Sequence, residues 1–282
     1  MKIVVLGSTG VLGRNVLPRL KERGHQVRAV VRRSEQAEPL EKIGIEAVLG
    51  DILRPESMQA VTAGCEAVLH LATAIPRAGY PQDWNLNDRI RREGTHNLLA
   101  ACQANGVGRY VQQSITLLYG ECGDKLVDES HKLRPPAFVQ SAMDMEAMVQ
   151  ESSTGWCILR GGLLYGPGTW REEGWRQAAR LGSLRWFEQG EAYYSPIHVV
   201  DLARAVVQAV ESAAPKSIFN VVDDRPVTQR DLFRYIAASV GALEPASGGE
   251  ADLPSLRCSN QKLRSELGWE ATFPTFQSGL AT

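Results

Sequence analysis

Three glycines at intervals of three follow the first strand-like run of this chain, in KIVVLGSTGVLGR (residues 2–14), and no other feature constrains its fold as tightly. Four of the five residues Lys2–Leu6 are apolar, with β-branched residues among them, which reads as a buried strand, and the amphipathic run ending at Arg23 reads as a helix. Gly7, Gly10 and Gly13 form the turn between them. Lacking Cβ atoms, they let the chain bend sharply, pack the helix on the strand and admit a pyrophosphate to the backbone; the helix N-terminus adds free N–H groups and a partial positive charge. The motif points to a dinucleotide held by Gly7, Thr9, Gly10, Val11, Leu12 and Gly13.

The remaining strand ends extend that reading. Gln26–Val31 predicts a second strand that stops at Arg32 and Arg33, where a ribose-binding acid would pair with a free 2′-hydroxyl and an arginine would accept a 2′-phosphate. No acid stands at positions 30–33, so NADP(H) is expected over NAD(H). Residues 45–49 and 67–71 read as further strands. Asp51 and Ile52 follow the first, where a carboxylate could accept from the adenine amino group, and Leu71, Ala72 and Thr73 end the second with small residues beside the cofactor. Residues 75–84 form a Pro- and Gly-punctuated loop carrying Arg77, Tyr80 and Trp84, placed to cover a substrate. A helix over 87–104 and a strand over 110–114 complete a βαβ alternation, which calls for a doubly wound parallel α/β sheet.

Composition narrows the partners. A formal net charge of −1 gives no electrostatic case for nucleic acid or an anionic membrane, and no apolar run approaches the ~20 residues of a membrane span. Small-molecule partners are expected. The five cysteines, Cys65, Cys102, Cys122, Cys157 and Cys258, are widely spaced without a Cys-x-x-Cys, so neither a disulfide framework nor a metal site is indicated. Met1 leads straight into the first strand with no room for a cleavable signal, and a cytoplasmic protein is expected.

Taken together, GSTGVLG, the Gly50-Asp51 pair, EGTHNLLAAC, RYVQQSITLLYG, ILRGGLLYGPG, SPIHVVDLARAVVQAVE and FNVVDDRPVTQRDLF make the chain resemble the extended, NAD(P)-dependent epimerase/dehydratase-like branch of the short-chain dehydrogenase/reductase superfamily. The resemblance implies a Rossmann domain over 1–162 with 193–222 and a smaller substrate lobe over 163–192 with 223–282. It adds Gly162 to the cofactor contacts. Relatives often dimerise through two helices, corresponding here to 87–104 and 137–151.

Members of the family pair a Ser or Thr with a Tyr-x-x-x-Lys: the tyrosine exchanges a proton with the substrate oxygen, the lysine lowers its pKa, and the hydroxyl orients the carbonyl. Aligned on Tyr119-Gly120, the hydroxyl slot falls on Ile115, between Ser114 and Thr116, while the Tyr-x-x-x-Lys slot falls on Phe138-x-x-x-Ala142. Phenylalanine has no proton to give, and the standard relay is absent. Substitute donors are Tyr165, Thr116, Ser114, Tyr119 and His131. Asp144 and Glu146 are expected to face solvent, and Met143, Met145 and Met148 to fill the core.

In the C-terminal lobe, Trp170, Trp175 and Trp186 join Tyr80 and Trp84 as candidate substrate contacts, mixed with arginines that suit a ring-bearing or anionic ligand. The expected protein is an atypical NADP(H)-dependent small-molecule oxidoreductase with a non-standard proton donor. The alternatives are a catalytically inactive dinucleotide-binding sensor or binding protein, and a sugar-type epimerase or dehydratase. Gly10→Asp is expected to abolish dinucleotide binding, because a carboxylate would meet the pyrophosphate; a titration with NADP⁺ checks it.

Overall fold

The first strand, β1 (Lys2–Leu6), shows how the fold divides its apolar residues. Ile3 and Val5 point to one face and Val4 and Leu6 to the other, all at most 2 % exposed, as the two-residue period of a strand dictates. A computed structural model describes residues 1–76, 83–250 and 253–280. Around β1 it assembles β2 (Gln26–Val31), β3 (Glu46–Leu49), β4 (Ala67–His70), β5 (Arg109–Ile115), β6 (Gly155–Gly161) and β7 (Ser217–Val221). These make one parallel sheet in the order β7-β6-β5-β4-β1-β2-β3. The chain runs outward from β1 through β2 to β3, then returns to β4 and proceeds the other way. The direction therefore reverses between β1 and β4, which is where an open parallel sheet leaves a crevice at its strand ends.

Each face is covered by helices. On one lie α1 (Val11–Glu22), which continues through Pro18, and a later helix, Val199–Ser212, joined at their ends by Arg23 and His25 on the Glu211 carboxylate, at 2.8 and 2.9 Å. On the other lie α2 (Pro55–Thr62), α3 (Thr95–Ala104) and α4 (Gln140–Glu151), which contribute Met58, Val61, Leu98, Cys102 and Val149. The helix expected over 87–104 is broken into three parts: Asn85–Arg89, a widened turn at Ile90–Gly94, and α3. That turn carries Arg91 into the interior, where it donates to the Ser141 hydroxyl at 3.3 Å and burial pushes its pKa down to about 10. Gly94 fits beside Ile52, where a Cβ would lie 3.0 Å from its side chain.

A third apolar cluster lies outside the sheet. Ala179 of α5 (Trp170–Arg180) belongs to it, and after the chain has passed through α6, the helix Val199–Ser212, α7 (Gln229–Ser239) adds Leu232, Phe233 and Ile236. Thr228 caps α7, its hydroxyl accepting from the Asp231 N–H at 3.1 Å. The chain's last segment is fastened to the sheet layer by the fully buried Asp201 of α6, whose carboxylate accepts from the N–H groups of Thr272 and Phe273 at 2.9 and 2.8 Å.

Candidate functional site

Gly7 leaves β1 with φ +81°, and the turn it opens is closed by Gly10 N–H donating to Gly7 O at 3.0 Å. A Cβ on Gly7 would lie 2.6 Å from the Leu71 backbone, and one on Gly13 would lie 2.3 Å from Gly7 O. Both positions are closed to a side chain by the protein itself. Gly10 differs: its φ is an ordinary −71°, and a Cβ would meet only Gly7 O, at 3.2 Å. The space beyond it is the cleft. There α1 begins without a side-chain cap or an acid in its first turn, and the N–H groups of Val11, Leu12 and Gly13 have no acceptor within the described residues. An open glycine in front of uncapped N–H groups fits a pyrophosphate.

The cleft has a volume of about 610 Å³. Of the expected cofactor contacts, Gly7, Thr9, Gly10, Val11, Leu12, Gly13, Arg32, Leu71, Thr73 and Gly162 line it. Arg33, Asp51, Ile52 and Ala72 do not. The Asp51 carboxylate turns back to accept from Leu53 N–H at 3.0 Å, while Ile52 and Ala72 pack into the core on the α2 and α3 side. The sequence reading missed Arg14, Gln113 and Gly168, together with Tyr193 and the segment around Leu253, Pro254 and Leu256, all of which line the cleft. A separate, more open depression of about 690 Å³ lies along β7 beside Lys216 and Lys262 and contains none of the glycine turn.

The hydroxyl candidates separate by strand alternation. Gln113 and Ile115 face the cleft, so Ser114 between them faces α4, where its hydroxyl donates to the Glu146 carboxylate at 2.6 Å. Glu146 corrects the expectation of a solvated side chain: it is 1 % exposed and receives Arg160 of β6 at 2.7 Å. Arg160 also donates to the Tyr119 hydroxyl at 3.0 Å, and that hydroxyl donates to Asn220 of β7 at 2.8 Å. Tyr165 is held in another buried arrangement, donating to Asp223 at 2.9 Å. Burial pushes both phenols upward in pKa. His131 is exposed and lies outside the cleft, against Tyr119 and Cys122. Among the four tyrosine, threonine and serine candidates Thr116 alone borders the cleft; it is 3 % exposed and its side chain bonds with Cys258.

The slot matched to Tyr-x-x-x-Lys holds no proton-exchanging side chain; Phe138 is 38 % exposed, and neither Phe138 nor Ala142 lines the cleft. Ala142 is fully buried with Leu118 and Val139, and Phe138 lies against Trp84 with ring centroids 5.8 Å apart. Met145 is in the interior as expected, but Met143 is 37 % exposed, on the outer face of α4. Among the candidate substrate contacts, only Trp170 lines the cleft. Trp175 and Trp186 belong to the third apolar cluster, Trp84 sits beside Phe138, and Tyr80 lies outside the described residues. His198 caps α6, its Nδ1 accepting from Val200 N–H at 3.3 Å.

The glycine turn, the uncapped helix and the strand-end cleft define a dinucleotide-binding protein, and the chain belongs to the NAD(P)H-binding family, which matches residues 7–213. Its fold is that of the epimerase/dehydratase-like short-chain dehydrogenase/reductases. A Streptomyces 3-diazoavenalumate denitrifying reductase is 32 % identical to it across 99 % of both chains. The 2-alkyl-3-oxoalkanoate reductase of Stenotrophomonas maltophilia is 29 % identical over 86 % of this chain and 76 % of its own. The UDP-glucose 4-epimerase of Thermus thermophilus, solved with NAD, superimposes with a TM-score of 0.84 over 99 % of this chain and 96 % of its own; at 23 % identity it shares the fold. Among the described residues no helix is long and apolar enough to cross a membrane.

The Ser114–Glu146–Arg160–Tyr119–Asn220 chain of hydrogen bonds makes a stability prediction. Arg160→Met leaves Glu146 buried without its cation and is expected to cost about 3–5 kcal/mol, measured by urea unfolding, whereas adding Glu146→Leu restores much of the loss.

Proposed function

We propose that this protein is an NADPH-dependent reductase of small aromatic electrophiles that delivers hydride without a Tyr-Lys proton relay. The observation that carries this reading is that Ser114, Tyr119 and Tyr165 are each bonded to buried partners, while Phe138 and Ala142, at the positions matched to the relay, have no proton to exchange. A carbonyl reduction produces an alkoxide that needs a proton; an aryl diazonium does not. When bound, NADPH supplies the hydride. The aromatic carbon exchanges its bond to nitrogen for one to hydrogen: the hydride brings the electron pair of the new C–H bond, dinitrogen leaves with the pair of the broken C–N bond, and the hydride's charge cancels that of the diazonium. The 3-diazoavenalumate denitrifying reductase, similar across 99 % of both chains, supports this choice of substrate class.

In this reading Gly7, Thr9, Gly10, Val11, Leu12 and Gly13 hold the pyrophosphate, Leu71, Thr73 and Gly162 border the rest of the cofactor, and Arg32 meets the 2′-phosphate. Arg32 is exposed, lines the cleft and makes no side-chain ion pair among the described residues, and no acid ends β2. Residues 163–192 and 223–282 form the substrate lobe, with Trp170, Tyr193, Leu253 and Leu256 as walls for a ring. An epimerase would need a base to remove a sugar hydroxyl proton, and Phe138 supplies none. An inactive sensor would share the apolar slot but would not turn over.

Two measurements test the reading. With 3-diazoavenalumate as substrate, NADPH is expected to be consumed in step with formation of the arene; cofactor that binds but is never oxidised would support the sensor instead. Arg32→Asp is expected to weaken NADP⁺ by about tenfold or more while changing NAD⁺ little, as followed by titration calorimetry, and an equal loss for both would remove the 2′-phosphate assignment.

A further inference from the structure

The short strand Tyr193–Tyr194 pairs antiparallel with Val227–Thr228 and sets two phenols on opposite sides. Tyr194 turns inward: its ring belongs to the third apolar cluster and its hydroxyl accepts from Gln229 Nε2 at 2.8 Å. Tyr193 lines the cleft, half-buried, and its hydroxyl has no partner among the described residues. Every other tyrosine described is bonded through its hydroxyl: Tyr110 to Gln112 at 3.0 Å, Tyr119 to Asn220, Tyr165 to Asp223, Tyr194 to Gln229 and Tyr235 to Gln277 O at 3.2 Å. The one phenol left unbonded is the one in the cleft.

Its position is fixed from behind. Tyr193 N–H donates to Ser255 Oγ at 2.9 Å, and Tyr193 O accepts from Leu256 N–H at 2.7 Å. Ser255 is anchored in turn, its hydroxyl donating to Gly123 O and its N–H to the Glu121 carboxylate, both at 2.8 Å. The guanidinium carbon of Arg257 stands 4.8 Å from the centre of the Tyr193 ring. Arg257 donates through Nη1 to Asp124 O at 2.7 Å, its Nε is buried without a partner, and no carboxylate pairs with it among the described residues. A whole positive charge therefore backs this ring with only a carbonyl and a π-face to offset it. Glu173 also lines the cleft but is exposed, where water screens its charge.

We propose that the Tyr193 hydroxyl recognises the substrate by donating to an anionic oxygen, the carboxylate of an aromatic acid, with Arg257 supplying the positive field behind the ring. This rests on the reading of the protein as a reductase of aromatic electrophiles and names the group that such a substrate carries. Trp170, Leu253 and Leu256 offer the apolar walls for the ring, and Tyr193 adds a donor held by its neighbours at one place on that wall. A hydrogen bond to a charged acceptor is worth more than one to a neutral acceptor, so the site selects the acid over its ester. Arg257 does not line the cleft, and it acts through the ring as a positioning residue.

The test uses the full chain saturated with NADP⁺ and titrated with avenalumate, the arene left when 3-diazoavenalumate loses dinitrogen, and with avenalumate methyl ester. Wild-type protein is expected to bind the acid more tightly. Tyr193→Phe is expected to weaken the acid about tenfold and the ester about threefold or less, with NADP⁺ affinity and ligand-free melting unchanged. Arg257→Gln is expected to weaken the acid several-fold and the ester little, and Arg257→Lys to recover part of that loss. Tyr235→Phe, which removes a hydroxyl outside the cleft, is expected to change neither. Unaltered affinity for the acid in Tyr193→Phe, equal losses for acid and ester, or no binding of the acid to wild-type protein would overturn the assignment. NADPH left unoxidised by 3-diazoavenalumate, while avenalumate still binds through Tyr193, would remove the reductase reading and leave the carboxylate site standing.

Discussion

The structure depends on one close approach of backbone to backbone. The turn after β1 lies against the end of β4, where Gly7 has no room for a side chain, and the start of α1 lies against the same turn, where Gly13 has none. A methyl group at either point would push the helix off the sheet or spread β1 from β4, the two strands between which the chain reverses direction. Everything that lines the cleft is positioned from there. The uncapped N–H groups of α1 face the cleft because the helix is drawn onto the turn, and Thr73 and Leu71 reach it because β4 ends beside Gly7. Gly10 stands apart, since the protein leaves it space and only a ligand would need that space.

The parallel sheet, the ranges of its first strands and the glycine turn were legible because they rest on local signals. Short apolar runs alternating with helical segments mark the strands, and three glycines at fixed spacing mark the turn. What failed was anything set by the meeting of distant elements. Glu146 lies on a helix with exposed neighbours, and nothing near it in sequence announces that Arg160, on the next strand, will bury it. Ser114 and Ile115 differ by one position, and strand alternation fixes that they face opposite ways, but the sequence does not say which of the two meets the cleft. Trp175 and Trp186 have the composition of a binding wall and instead pack the third cluster, because their segments are amphipathic and turn their rings inward. Arg14 and Tyr193 went unnoticed for the converse reason: each is an ordinary surface-type residue until another loop is folded over it.

The hydroxyl groups illustrate how context decides chemistry. Ser114, Tyr119 and Tyr165 have the atoms for proton transfer, yet each is committed to a buried acceptor, and burial makes both phenols harder to ionise. Of the four hydroxyl candidates only Thr116 borders the cleft, whose walls include leucines and aromatic residues.

The hydrogen bond from Tyr119 to Asn220 joins residues 101 positions apart, and β7 completes the sheet only after the chain has left β6 and built the excursion over 163–192. Closing so long a loop is slow relative to forming a helix or a neighbouring strand pair. During synthesis, then, the first 160 residues, which carry the glycine turn, emerge with Glu146 and Arg160 able to meet but with the phenol still lacking its acceptor. The sheet edge stays open until residue 221 has left the ribosome. The order of the strands in the chain thus gives this fold a late locking step, placed in the third of the sequence farthest from the motif that first identifies it.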